Sequence, residues 1–218
     1  MIDSPPSPPR GVFISLEGGE GAGKSTQTRL LAECLRGLGH DVVQTREVGG
    51  SPSAEEIREL WLSKGEGHWD PLTELLLISA ARREHLVRAV WPALKRGAWV
   101  VTDRFTDSSR AYQGMGLGMG IETVNDLTRH VAGNFEPDLT LLLDLPVETG
   151  LARMAERRGP DDRYQQKNVV FHQTLRDAYL KLAAENPQRI VVIDASQNAD
   201  IVAQAIRSAV ATFSARLK

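Results

Sequence analysis

Short, mostly apolar runs alternate with segments of helical spacing along nearly the whole chain. Val12-Phe13-Ile14-Ser15-Leu16 ends at a glycine cluster, the pattern of a buried strand feeding a loop. Lys24 to Leu38 follows with Leu30, Leu31, Cys34, Leu35 and Leu38 at helical spacing, and Gly37 and Gly39 mark its end. Asp41 to Thr45 predicts a second strand, and Ser53 to Leu62 a helix capped by Ser51 or Ser53. Asp70 as N-cap and Pro71 in the first turn open a long helix that runs to about Val90. Its apolar face includes Leu72, Leu75, Leu76, Ala80 and Leu86. Ala98 to Thr102 is a strand ending in Asp103, Glu122 to Ala132 a helix, and Leu139 to Leu145 a continuous apolar strand. Helices over Val147 to Arg158 and Val169 to Glu185, a fifth strand over Arg189 to Asp194 and a helix over Asp200 to Leu217 complete the pattern.

Strands apolar on both faces and separated by helices mean a parallel sheet covered on both sides. The expected fold is therefore α/β with about five strands. There is no internal repeat or long linker, so one domain is expected from Gly11 to Lys218. Met1 to Arg10 carries Pro5, Pro6, Pro8 and Pro9 without apolar periodicity and reads as a disordered or polyproline-like leader. In such a sheet, ligands sit beyond the carboxyl ends of the strands.

Composition narrows the classes without choosing one. With 218 residues, 41% of them hydrophobic and 25% charged, the chain is long enough to bury a core without metal or disulfide staples. A net charge of −2 gives no general attraction to nucleic acid or to an anionic membrane. The single cysteine, Cys34, excludes an internal disulfide and a multi-cysteine zinc site, fits a reducing cytoplasm, and reads as an inert core thiol. No run of 18 apolar residues and no signal-like start is present, so neither a membrane span nor a secretory leader is expected. The basic residues divide into 20 Arg and 6 Lys. Arginine's planar fork suits phosphate oxygens, although a GC-rich genome gives the same skew and, on composition alone, is the simpler reading.

Gly18-Gly19-Glu20-Gly21-Ala22-Gly23-Lys24-Ser25 changes that balance. It matches G-x-x-x-x-G-K-[ST] and lies between a buried strand and a helix, the context the motif requires. The glycines leave backbone N–H groups facing a concave anion site, and the helix N-terminus adds partial positive charge. Lys24 is placed to reach the β- and γ-phosphates of a nucleotide and Ser25 to ligate Mg²⁺, which makes the fold P-loop NTPase-like. The same loop serves switches, motors and kinases. The absence of an Asn-Lys-x-Asp run weakens a guanine-reading switch, and arginines accumulate where a second phosphate would need them.

Asp103 and Arg104 follow a strand and lie at its carboxyl edge, where the carboxylate can act on Mg²⁺ and the guanidinium on a transferring phosphoryl group. Arg46 ends the second strand at the same edge. Arg82 and Arg83 are neighbours on a helix and point about 100° apart, so at most one faces the site and the other is solvated. Arg153, Arg157, Arg158 and Arg163 surround Gly159-Pro160-Asp161-Asp162, the composition of an arginine-bearing lid over about residues 153–167. His40, His68, His85, His130 and His172 lack metal-ligand spacing and read as surface or core residues. Trp61, Trp69, Trp91 and Trp99 read as packing residues.

Taken together, these residues resemble the thymidylate (dTMP) kinase family in its bacterial form, from Gly11 onward. The anchors are Glu17-Gly18-Gly19-Glu20-Gly21-Ala22-Gly23-Lys24-Ser25-Thr26, Thr45-Arg46-Glu47 and Ala81-Arg82-Arg83-Glu84-His85-Leu86. To these add Asp103-Arg104 through Ala111-Tyr112-Gln113-Gly114, Pro137-Asp138 through Leu143-Asp144, and Ile193-Asp194-Ala195. The resemblance implies transfer of the γ-phosphate of ATP to dTMP with Mg²⁺, by a homodimer. It implies that Lys24, Ser25 and Thr26 bind ATP phosphates and Mg²⁺, that Glu20 holds the sugar 3′-hydroxyl, and that Arg46, Arg82 and Arg104 grip the dTMP phosphate. Ser109 and Gln113 would face the thymine edge, and Tyr112 would crowd out a 2′-hydroxyl. Gly21 stands where the eukaryotic form has arginine, and the lid supplies the cations instead.

Four positions depart from the family pattern. Val48 replaces a proline in Arg-Glu-Pro-Gly-Gly, and a cis bond outside proline costs about 2.5–4 kcal/mol. Ile78 stands where many members stack phenylalanine on thymine, which forfeits about 0.5–1.5 kcal/mol. Leu117 replaces a common arginine and Gln165 a common glutamate. These positions bear on acceptor affinity and selectivity, so a kinase for another deoxynucleoside monophosphate such as dUMP, or a non-catalytic nucleotide-binding protein, remain as alternatives to a dTMP kinase.

Overall fold

The computed structural model describes residues 10–63, 68–156, 164 and 167–217. The elements are β1 (Phe13–Glu17), α1 (Lys24–Gly37), β2 (Val42–Arg46), α2 (Pro52–Leu62), α3 (Pro71–His85), α4 (Trp91–Lys95) and β3 (Trp99–Asp103). They continue with α5 (Thr106–Ser109), α6 (Ile121–Ala132), β4 (Leu139–Asp144), α7 (Val147–Glu156), α8 (Val169–Glu185), β5 (Ile190–Asp194) and α9 (Ala199–Ala215). The five strands form one parallel sheet in the order β2-β3-β1-β4-β5, with Leu16 in register with both Asp103 and Leu141. Each strand ends one residue beyond its last uncharged position, on Glu17, Arg46, Asp103, Asp144 or Asp194. A row of charges thus lines the carboxyl edge.

The period of two in the strands divides the core. Ile14, Leu16, Val101, Leu141 and Leu143 face α1 and α9 and pack with Leu31, Leu35, Val202 and Ile206. The opposite face carries Phe13 and Val100, which pack with Leu86, Trp91, Leu94 and Phe105, while Leu142 meets Leu175, Tyr179 and Leu182 of α8. In α1 the buried face is Leu31, Ala32 and Leu35 together with Lys24, Gln27 and Thr28, so the expected apolar face is rotated. Leu38 is exposed, and Cys34 is half-buried rather than a core thiol.

Asp70 caps α3 as predicted, accepting from the N–H groups of Leu72 and Thr73. That helix does not stop at Val90. It widens into a π-helical turn over Leu86–Val90 and continues as α4, where Pro92 offers no N–H to the turn before it. A second π-helical stretch, Arg110–Gly116, continues α5; the glycine-rich sequence there carries no apolar period. Leader positions 1–9 lie outside the described residues. Arg10, expected within the leader, forms a two-pronged ion pair with Asp138 at 2.8 Å and lies over the Phe135 ring.

Behind α5, Asp107 is buried and accepts from Arg110 Nη1 at 2.8 Å and Arg189 Nη1 at 2.6 Å. Arg189 also donates to Thr140 Oγ1 at 2.8 Å, and Arg110 to Glu136. Burial pushes the Asp107 carboxyl up, but the two guanidinium groups outweigh it and hold it below the usual range. Removing one partner of a buried pair leaves uncompensated charge, worth about 3–5 kcal/mol. Asp107→Ala is therefore expected to lower the free energy of urea unfolding by about that amount.

Candidate active site

A cleft of about 320 Å³ opens at the carboxyl edge of the sheet. Its walls come from the segment after β1 (Glu20, Gly21, Gly23, Lys24, Ser25), the segment after β2 (Val48) and the segment after β3 (Arg104, Phe105, Ser108, Ser109, Tyr112, Gln113). Arg46 and Asp103, the last residues of their strands, join them, and α2 and α3 contribute Arg58, Trp61, Ile78 and Arg82.

The loop after β1 holds its shape by close backbone contact. Gly21 has φ +69°, and a Cβ there would lie 2.2 Å from the carbonyl oxygen of Gly150 in α7. A Cβ on Gly150 would meet the Glu20 carbonyl at 2.5 Å. Gly23 caps α1 without a side-chain acceptor, leaving the first amides of that helix turned to the loop. Lys24 is buried and donates to the carbonyls of Gly18 at 3.0 Å and Gly19 at 2.7 Å. Burial and the Arg104 charge push its ammonium down from the usual lysine range. At the mouth, Ser25 Oγ donates to Asp103 Oδ2 at 2.5 Å.

Opposite the loop, two guanidinium groups are held by protein oxygens, Arg82 buried and Arg104 half-buried. Arg104, with φ +70°, donates from Nη2 to Glu20 Oε1 at 2.8 Å and to the Tyr112 hydroxyl at 3.2 Å, and lies over the Tyr112 ring. Burial pushes the Glu20 carboxyl up, but Arg104 and Lys24 prevail and hold it at about 2. The Tyr112 hydroxyl donates to the same Glu20 oxygen at 2.5 Å. Arg82 Nε donates to Glu47 Oε2 at 2.6 Å, and its Nη2 to Ser109 Oγ at 3.0 Å. Behind it, His85 bridges Glu47 (3.1 Å) and Thr45 Oγ1 (2.7 Å). Burial opposes the ionised Glu47, yet Arg82 and His85 hold its carboxyl below the usual range. Arg83 points away, donating to the Val131 carbonyl and lying over Trp91, so it is packed rather than solvated.

The end of the cleft beyond Tyr112 joins Gln113 to Glu74 and to the Tyr164 hydroxyl, each at 3.0 Å, and Tyr164 donates to Glu74. Ile78, Tyr112 and Tyr164 supply the apolar lining there. The Glu47–Val48 peptide bond is cis, although valine occupies the position.

Of the residues singled out in the sequence, Glu20, Gly21, Gly23, Lys24, Ser25, Arg46, Ile78, Arg82, Asp103, Arg104, Ser109, Tyr112 and Gln113 line this one cleft. Gly18 and Gly19 lie behind it with their carbonyls on Lys24, and Ala22 is packed into the core beside α1. Thr26 is half-buried and does not line the cleft. Arg46 is exposed and pairs with Glu55 at 3.1 Å. Arg153 turns away, donating to the carbonyls of Ala195 and Ser196. Arg157, Arg158, Arg163 and Gln165 lie outside the described residues. Sequence reasoning gave no role to Glu17, Glu47, Arg58, Ser108 or Tyr164, and took Trp61 for packing alone. Glu47 had a signal, its place between Arg46 and the departure at Val48, and Tyr164 had none. Among the described residues no group of three or more His, Cys, Asp or Glu side chains gathers to hold a metal, and no helix is long and apolar enough to cross a membrane.

Comparison with known proteins places this geometry. The family model described as thymidylate kinase matches residues 16–206. A thymidylate kinase of Caulobacter vibrioides is 53% identical over 201 residues, covering 92% of this chain and 96% of that protein. One of Pseudomonas fluorescens (strain SBW25) is 50% identical over 208 residues, covering 95% and 99%. The crystal structure of a thymidylate kinase from Ehrlichia chaffeensis superposes with a TM-score of 0.75 at 32% identity, covering 93% of this chain and 99% of that one. With the family matched over most of its length and its fold and cleft accounted for, the chain belongs to the thymidylate kinase family.

Proposed function

We propose that this protein transfers the γ-phosphate of ATP to dTMP, giving dTDP. One observation carries the reading: a phosphate loop with its buried lysine faces the buried Arg82 and the half-buried Arg104 across a single cleft, with a serine–carboxylate pair at its mouth. Phosphoryl transfer asks little covalent chemistry of a protein, so catalysis comes from placing donor and acceptor in line and stabilising the charge that passes between them. The loop amides and Lys24 take the donor phosphates, and Arg104, Arg82 and Arg46 take the acceptor phosphate. Each of these cations already has oxygen partners in the folded protein, so little reorganisation accompanies the reaction.

Glu20, ionised and bridged to Arg104 and Tyr112, is offered to the sugar 3′-hydroxyl, and Tyr112 closes the space a 2′-hydroxyl would fill. Ser109 and Gln113 face the base with Ile78 and Tyr164 beside them. Ser25 and Asp103 present a hydroxyl and a carboxylate together at the mouth of the cleft, an oxygen donor set that suits Mg²⁺, which takes few protein ligands and completes its shell with phosphate and water. Held by Ser25 and Asp103, a Mg²⁺ ion would supply positive charge to the donor phosphates. Arg157, Arg158 and Arg163 belong in this reading to a lid over 153–167 that brings further cations to the phosphates, while Arg153 holds the Ala195 and Ser196 carbonyls instead.

The homodimer reading has its own support. Leu72 and Leu76, four residues apart on α3, are 50% and 48% exposed, and Leu60 on the neighbouring α2 is 46% exposed. Such a stripe fits the face of a second copy.

Three outcomes follow. In a coupled assay with ATP and Mg²⁺ across nucleoside monophosphates, dTMP is expected to be the preferred acceptor. Absence of any acceptor would leave a nucleotide-binding protein, and equal use of dUMP would mean that the pocket around Ile78 does not read the thymine methyl. Arg104→Ala removes charge-assisted contacts worth about 1.5–3 kcal/mol and is expected to slow dTMP turnover roughly tenfold to 150-fold. Leu76→Glu is expected to sediment at the mass of one chain with unchanged helical circular dichroism, while the unmodified protein sediments at twice that mass.

A further inference from the structure

One buried carboxylate beside the cleft takes no part in the reaction described above. Glu17 closes β1 and is fully buried. Its Oε1 accepts the backbone N–H of Phe105 at 2.7 Å, and its Oε2 accepts the Ser108 hydroxyl at 2.6 Å and the Tyr179 hydroxyl at 3.3 Å. The same two hydroxyls face Arg104. Its Nη1 lies 3.2 Å from Ser108 Oγ and 3.4 Å from the Tyr179 oxygen, and the hydroxyls are 2.9 Å apart.

Donor and acceptor counting ties this cluster to an ionised carboxylate. A guanidinium only donates and an ionised carboxylate only accepts, while each hydroxyl has one proton to give. Arg104 therefore donates to both hydroxyl oxygens, Ser108 gives its proton to Glu17, and Tyr179 gives its own to Ser108 at 2.9 Å or to Glu17 at 3.3 Å. In that arrangement every donor has an acceptor. A protonated or amide side chain at position 17 brings its own donor against Ser108, so Ser108 must turn its proton toward Tyr179. The Tyr179 proton is then left facing a group without charge, in an interior where an unmatched donor is costly. Arg104 is also the one non-glycine residue with positive φ among the described residues. Glu17 holds the N–H of the residue directly after it.

We propose that Glu17 is a positioning residue for phosphoryl transfer, its ionised carboxylate fixing the rear of the Arg104 guanidinium through Ser108 and Tyr179. Through the Phe105 amide it also fixes the backbone that carries Arg104. Because it acts through Arg104, this inference rests on the reading of that residue as the grip on the acceptor phosphate. The charged and titratable groups around Glu17 are Asp107 and Arg104 after β3, Lys24 on α1 and Tyr179 on α8, with Glu20 and Tyr112 on the far side of Arg104. Burial and then Asp107 push the Glu17 carboxyl up to about 7, against the lowering effects of Ser108, Arg104 and the Phe105 amide. The clamp is thus complete above that pH and loosens as pH falls through it.

The test is steady-state kinetics of the full chain with ATP, Mg²⁺ and dTMP across about pH 5.5 to 9, with ATP binding measured separately by calorimetry. Glu17→Gln is compared with Tyr179→Phe, which keeps the ring and removes only the hydroxyl. Glu17→Gln is expected to lower kcat about tenfold or more, and Tyr179→Phe by less, with ATP affinity unchanged in both. The dTMP phosphate titrates near pH 6 in every variant, so the difference between profiles isolates Glu17. The unmodified enzyme is expected to lose activity through about pH 7 by a step that Glu17→Gln lacks. An enzyme active on dTMP whose two variants keep its kcat, KM and pH profile overturns this inference alone. Variants that lose ATP binding along with turnover also overturn it, since the loop rather than Arg104 would then have been disturbed. If the unmodified chain phosphorylates no dTMP, the functional reading fails and this inference falls with it.

Discussion

Three cations are buried or half-buried around one cleft, and each must stay charged before any phosphate arrives. That constraint organises the whole carboxyl edge of the sheet. A buried ammonium or guanidinium without oxygen partners is costly enough to shift its protonation or unfold its surroundings. Lys24 accordingly sits on two loop carbonyls, Arg82 on Glu47, and Arg104 on Glu20 with two hydroxyls behind it. The partners need fixing in turn. His85, itself held by Thr45, holds Glu47, and Tyr112 holds Glu20. The cleft is therefore the inner layer of a polar network that reaches into β1, β2, α3 and α8.

The same constraint explains what could and could not be read from the sequence. All five strands were legible because continuous apolar runs need a sheet covered on both faces, but the first three apolar runs stop one residue short of the carboxyl ends of their strands. The apolar signal stops there while the pairing continues onto a charged residue, as at Arg46 opposite Asp103. Asp70 announced α3 by its chemistry, whereas the π-helical turn before Pro92 and the one over Arg110–Gly116 have no local signature. Leu72, Leu76 and Ala80 matched a helical period yet lie on the exposed face. Periodicity marks an apolar stripe without saying what covers it.

At the site, the groups proposed to meet substrate were legible because their chemistry sits in a motif: the loop glycines, Lys24, Ser25, Asp103 and Arg104. The groups that hold them in place were not. Glu17 reads as the polar end of a strand, and Tyr179 as one aromatic in an amphipathic helix. Both acquire meaning only when β1, the turn after β3 and α8 are brought together in space. Arg82 and Arg83 show the limit clearly, since helical geometry allowed at most one of the two to face the cleft and only packing chose Arg82.

The paired approach of Gly21 and Gly150 has a lasting consequence. On each side the obstruction to a side chain is the other segment's main chain, separated by more than a hundred positions in sequence. No compensating change at one site makes room for a larger residue at the other, because neither has an atom left to remove. Variation among descendants of this protein can alter the side chains around that seam, but the seam itself admits no intermediate. The first helix after β4 and the nucleotide loop are thereby inherited as one piece.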